Sequence, residues 1–104
     1  MIIPIAVLPL TAQLLVAAAD TVPSYDLTPS CRGAAASVND TTRLQACLNT
    51  ENEARDALEK EWSEFAPAWR MTCRQAASVG GEPTYTELLT CLEMERDAKR
   101  HPAG

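Results

Sequence analysis

The stretch that decides the fold runs from Cys73 to Cys91, "CRQAASVGGEPTYTELLTC". Gly80-Gly81 stops whatever helix precedes it, and Pro83 cannot continue one. Thr84-x-x-Glu87 then has the spacing of a capping box, in which the hydroxyl accepts from a backbone N–H and the carboxylate reaches back. Tyr85, Leu88, Leu89 and Leu92 follow at i, i+3, i+4 and i+7, the stripe of a helix that packs on one side. Cys73 and Cys91 lie equally far from residue 82 in the connection. In an antiparallel helical hairpin their sulfurs would stand at the same height.

Outward from this hairpin, Pro67 suits the first turn of a helix over "PAWRMTCRQAAS", ending near Ser78. Before it runs the longest periodic segment, predicted as a helix from about Thr42 to Phe65. Leu44, Cys47, Leu48, Ala54, Leu58, Trp62 and Phe65 recur at threes and fours, with a gap around Glu51. The remaining faces are charged. Glu51 with Arg55, Asp56 with Lys60 and, in the last helix, Glu95 with Lys99 have the acid-before-base spacing of supporting ion pairs. Lys99, Arg100 and His101 suit the negative end of that helix's dipole. Earlier still, Thr28 as N-cap and Pro29 at the first helical position predict a short helix through "SCRGAAAS". A turn at "VND", 38–40, separates it from the long one. "DTVPSYDLTPS", 20–30, has two prolines and no helical period, so residues 20–28 are expected as an extended leader. No segment has the alternation of a strand. The expected fold is all-α, a small bundle of three to four helices stapled by two disulfides.

The first 19 residues, "MIIPIAVLPLTAQLLVAAA", contain no charged side chain and end in Ala17-Ala18-Ala19. This is the apolar run and small-residue end of a signal peptide, with cleavage expected after Ala19, although no Lys or Arg lies near Met1. A retained membrane anchor is the alternative, of borderline length and interrupted by Pro4 and Pro9. The expected organisation is therefore a signal peptide over 1–19, the leader over 20–28 and a four-cysteine helical domain over 29–101. A periplasmic or secreted location follows. The formal charge of −5 argues against nucleic acid and anionic membrane surfaces, which demand clustered Lys and Arg.

In an exported chain of this size, Cys31, Cys47, Cys73 and Cys91 predict two disulfides. Cys31 and Cys47 are symmetric about Asn39, as Cys73 and Cys91 are about residue 82. That symmetry favours the pairs Cys31–Cys47 and Cys73–Cys91. A Cys47–Cys73 bond would join heights roughly 18 Å apart on helices that bend near Ala66, at ~1.5 Å of rise per residue, against a Cα separation of at most about 7 Å. Pairing 31 with 73 and 47 with 91 stays open. Each favoured bond closes a loop of about 15 to 17 residues, worth about 3 kcal/mol in the chain-entropy model.

The same spacing gives no metal or redox motif. No two cysteines lie two to four residues apart, and the single histidine, His101, is in the tail. No metal, cofactor or catalytic residue is expected. The acidic residues Glu51, Glu53, Glu59, Glu61 and Glu64 are expected as a charged helix face, not paired catalytic carboxylates, because a small bundle offers them no cleft. Arg70 and Arg74 flank Cys73 and would activate a thiol there, but a disulfide removes that role. The candidate interaction patch is Trp62, Trp69 and Arg70 around the bend, with core packing of the two tryptophans as the alternative.

At "SYDLTPSC", "ARDALEKEW" and "YTELLTCLEMERDAK" the chain resembles small exported four-cysteine helical proteins of alphaproteobacteria, of the rhizobial type. The resemblance covers nearly all of the sequence after residue 19 and implies a periplasmic location without implying an activity. A weaker resemblance is to lysozyme-inhibitor-like envelope domains. It rests on Cys31 and Cys47, on Trp69, Arg70 and Cys73, on Gly80 and Gly81, and on Cys91 with Arg96. That family's Asp and Leu-Asn motif is met only by Asp56 and Leu58, with Glu59 in place of Asn. The expected function is a non-enzymatic binding or envelope-associated module with a protein partner in the cell envelope, needing no membrane once the signal is removed. The alternative is an inhibitor of an envelope hydrolase such as lysozyme, and a small enzyme ranks third.

Overall fold

The computed structural model describes residues 20–35 and 41–100. The expected signal segment, the "VND" turn and His101 lie outside these. Four helices follow in order: α1 (Thr28–Ala35), α2 (Thr41–Glu61), α3 (Pro67–Ala77) and α4 (Tyr85–Arg100). A 3-10 turn, Trp62–Glu64, continues α2 into the bend. Among the described residues there is no strand, so the class is all-α. Both disulfides join the pairs that symmetry favours, Cys31–Cys47 at a Cα separation of 5.5 Å and Cys73–Cys91 at 5.6 Å.

The helix α4 packs against both α2 and α3, and α1 packs against α2. The core lies where α2, the bend, α3 and α4 converge. Its members are Ala54, Leu58, Trp62, Phe65, Cys73, Ala77, Tyr85, Leu88 and Leu92. Leu58, Leu88 and Leu92 are wholly buried there. The stripe predicted for the last helix thus faces inward, with Leu89 and Cys91 half-buried at its margin.

The bend is built in two steps. Regular helix ends at Glu61, four residues before the expected Phe65, because the backbone tightens through the 3-10 turn and Phe65 is extended, at ψ 137°. Ala66 is extended too, as a residue before proline must be, and Pro67 opens α3. The Ala66 carbonyl accepts from the N–H groups of both Trp69 and Arg70, each at 3.0 Å. The α3–α4 turn passes through Gly81 at φ 128°, a conformation that a side chain would strain.

The start of α1 lies one residue earlier than predicted. Leu27, not Thr28, provides the carbonyl that accepts the first helical bond, from Cys31 N–H at 3.0 Å. Asp26 Oδ1 accepts from Thr28 N–H at 3.1 Å. Asp26 therefore does the capping assigned to Thr28. The leader is extended, as expected, but it is not loose. Residues 20–27 form a strap across the bundle, with Val22, Tyr25 and Leu27 packed on the core.

Candidate functional site

Two features distinguish the surface around the bend: a charged cluster that binds the strap, and two grooves on either side of Pro67 and Arg70. Arg70 lies one turn into α3, which aims its guanidinium back at the bend. Its Nε donates to the Phe65 carbonyl at 2.8 Å, and its Nη1 donates to the carboxylate of Asp20. The guanidinium also lies over the Trp62 ring, 5.6 Å from the centroid. The Trp62 indole N–H donates to the Asp20 carbonyl at 3.0 Å. The first described residue of the strap is thus held at both its carbonyl and its carboxylate.

Further along, Tyr85 fixes the strap to α4. Tyr25 N–H donates to the Tyr85 hydroxyl at 2.8 Å, and that hydroxyl donates to the Pro23 carbonyl at 3.0 Å. The Tyr25 and Tyr85 rings meet with centroids 4.8 Å apart. Burial pushes the Tyr25 phenol above its ordinary value of 10.0 because the phenolate would lose hydration; the cation of Arg74 opposes this.

The acidic residues divide in a way that the sequence pattern does not indicate. Glu53, Glu59 and Glu64 are exposed, as a charged face requires. Glu51 is buried, and it caps α4 from another helix. Its Oε2 accepts from Tyr85 N–H at 2.7 Å, and its Oε1 accepts from Thr86 N–H at 3.4 Å and from the Thr86 hydroxyl. Thr84 Oγ1 accepts from Glu87 N–H at 3.1 Å, while its hydroxyl donates to the Glu87 carboxylate at 2.9 Å. The capping box is therefore half as predicted. Thr84 serves the third N–H of the helix, the Glu87 carboxylate takes the Thr84 hydroxyl instead of its N–H, and Glu51 takes the first two N–H groups of the helix. A carboxylate here also meets the positive end of the α4 dipole. The predicted Glu51–Arg55 ion pair does not form, since Glu51 faces inward. Arg55 pairs with Glu59 instead, at 3.3 Å. The signal for Glu51 is its place on the apolar stripe, three and four residues after Leu48 and Cys47.

Arg96 is another engaged cation. It donates to Glu61 at 2.6 Å and lies 5.0 Å from the centroid of the Phe65 ring. The hydrogen bond to Glu61 stabilises its charged form and holds its pKa above the ordinary arginine value.

The predicted patch separates. Trp62 is 8% exposed and belongs to the core, whereas Trp69 is 38% exposed, and Arg70 is buried. The two tryptophans line different grooves. Trp62 contributes to one of about 530 Å³, with Pro67, Met71, Arg74, Gln75 and Asp20. Trp69 contributes to one of about 220 Å³ beside Leu92, Arg96 and Lys99. Met71 stands 64% exposed at the wall of the larger groove. Among the described residues no three acidic, cysteine or histidine side chains could hold a metal ion. No helix among them is long and apolar enough to cross a membrane. No protein-family model, curated protein or solved structure matches the chain.

What the arrangement can do is present a preformed surface. Among the described residues, the two buried charged side chains, Glu51 and Arg70, are engaged in structural hydrogen bonds. The larger groove is apolar at its floor and cationic along one edge, a combination suited to contact with another molecule.

Proposed function

We propose that the chain is an exported, non-enzymatic binding module of the cell envelope, and that its contact surface is the groove of Trp62, Pro67, Met71 and Arg74. The observation that carries this is the 530 Å³ groove itself, with an exposed methionine on a rigid wall of α3 and an aromatic floor. Methionine and tryptophan at the centre of a concave surface are the residues that anchor interfaces. Support for an oxidising compartment comes from the two disulfides and from Ala17-Ala18-Ala19. The partner is expected to be an envelope protein. Immobilised, oxidised protein should retain a partner from periplasmic extract, and Met71→Glu should abolish retention without changing the fold. Equal retention by both would remove the groove from the proposal.

The exposed carboxylates of Glu53, Asp56 and Glu59 along α2 favour a second reading, inhibition of a cationic envelope hydrolase such as lysozyme. Loss of lysozyme activity at micromolar protein, reversed by salt, is its expected sign. Unchanged hydrolysis at that concentration would exclude it.

A further inference from the structure

We propose that the smaller groove at the bend is a sugar site: Trp69 stacks on the bare face of a neutral hexopyranose ring, and Glu64, Glu95 and Lys99 bind its hydroxyl groups. The site lies across Pro67 and Arg70 from the larger groove and does not rest on what that groove binds. The bend brings three elements to it. Ser63 and Glu64 come from the 3-10 turn, Trp69 from the first turn of α3, and Glu95, Arg96 and Lys99 from α4. These walls are held in place. The Trp69 N–H donates to the Ala66 carbonyl at 3.0 Å, and Arg96 ties α4 to Glu61, at the end of α2, at 2.6 Å.

The lining selects the ligand. Trp69 is 38% exposed, against 8% for Trp62, so its ring is the one open to contact. The face of an indole is negative and attracts the weakly positive C–H bonds on the bare side of a pyranose. Around it the charges are mixed. Arg70 and Arg96 are already bonded to Asp20 and Glu61, which leaves Glu64 and Glu95 beside Lys99. Carboxylates accept hydroxyl protons, an ammonium donates to hydroxyl oxygens, and the Ser63 hydroxyl can do both. An anion would meet two carboxylates, and a cation would meet three basic side chains. A wholly apolar ligand would strip water from these groups without replacing it. A neutral, hydroxyl-rich ring satisfies donors and acceptors together. At about 220 Å³ the groove is smaller than the roughly 300–1,000 Å³ of a site for a drug-sized molecule. It therefore takes one ring, and the rest of a longer glycan would project into solvent.

Heteronuclear NMR spectra of the oxidised, nitrogen-labelled full chain test this, because Trp62 and Trp69 give separate indole N–H signals. The probes are cellotriose and triacetylchitotriose, each titrated to tens of millimolar. At least one should shift the Trp69 indole signal saturably and leave the Trp62 signal in place. Trp69→Ala should abolish the accompanying shifts at the backbone N–H groups of Glu64 and Glu95. Glu64→Ala, at an exposed position outside the core, should weaken binding about fivefold, the scale of one lost hydrogen bond. It decides the matter even where Trp69→Ala disturbs the fold, and circular dichroism checks the helicity of both variants. The absence of a saturable shift with both sugars overturns the proposal. So does binding that survives in Trp69→Ala or is undiminished in Glu64→Ala, which would place the sugar elsewhere. An equal response of the Trp69 signal to sodium acetate or to choline chloride also overturns it, since the groove would then be an ion site.

Discussion

The two disulfides close loops of nearly equal length, with sequence separations of 16 and 18, yet they sit in very different surroundings. Cys73–Cys91 lies within the α3–α4 hairpin, whose inner faces carry Ala77, Tyr85, Leu88 and Leu92 into the core. Cys31–Cys47 joins α1 to the first half of α2. There Leu44 and Leu48 are only half-buried, and Cys31 is the one buried residue among those of α1 whose burial is described. Among the described residues, one staple reinforces packing that already exists, and the other joins helices whose packing is thinner. Loop length alone therefore does not say what a disulfide contributes. The native contacts on both sides of it matter as much.

The sharpest test removes each staple in turn. Cys73→Ala with Cys91→Ala should cost about 3 kcal/mol from loop closure, read in full because the hairpin that it closes carries the core and unfolds with it. Cys31→Ala with Cys47→Ala should cost less in denaturant unfolding followed by tryptophan fluorescence. In that variant α1 can come loose while Trp62 stays packed, and far-ultraviolet circular dichroism should show the corresponding loss of helix. Equal losses from both pairs would break the comparison.

Leucine truncation probes the same contrast without touching a cysteine. Leu88→Ala should destabilise by about 3 kcal/mol, as for a wholly buried leucine whose neighbours relax only in part. Leu44→Ala, on the half-buried stretch of α2, should cost about 1 kcal/mol. Urea titration of both variants measures the difference, and similar values would mean that the α1 end is as well packed as the hairpin.

Glu51 links the two regions, because it rises from α2 between them and caps α4. Glu51→Ala leaves the Tyr85 N–H buried without an acceptor and should cost about 2 kcal/mol. Glu51→Gln keeps one acceptor oxygen for the Tyr85 N–H but loses the charge and sets an amide NH2 against the Thr86 donors, so it should cost about 1 kcal/mol. A Gln variant as unstable as the Ala variant would show that the charge and the second acceptor together outweigh the bond kept to Tyr85.

The smallest effect concerns the strap that leads into α1. Tyr25 holds its proton more tightly in the folded chain than in the unfolded one, since burial raises its pKa above 10.0. Its contribution to stability is therefore complete below pH 10 and is lost as pH rises through the higher folded value. Comparing the ultraviolet phenolate titration of the wild type with that of Tyr25→Phe should reveal one phenol titrating above the ordinary range. Its absence would mean that the strap is open.

Much of this architecture is legible in the order of residues. Helix α4 declares itself through Thr84 and its leucines, α3 through Pro67, and the hairpin through Gly80-Gly81. All of these are signals between residues within a few positions of one another. The observed cysteine pairs are the ones the sequence favours, because equal distances from a turn place two residues at equal heights. The candidate site is legible only in part. Trp62 and Trp69 are visible as a pair, but their spacing of seven does not survive a bend between them, so one turns inward and the other outward. Glu51 falls on the apolar stripe of its helix, but nothing near it in the sequence says which helix end it caps.

By itself, then, the sequence determined the helices and their order and favoured the two staples, because those rest on local periodicity and on distances counted along the chain. The tertiary structure alone decided that Glu51 would cap α4 over a separation of 34 residues, and that the leader would be bound as a strap by Trp62, Arg70 and Tyr85. Such contacts depend on the angles at which helices pack. Those angles are set by the whole core at once, so no short stretch of the chain encodes them.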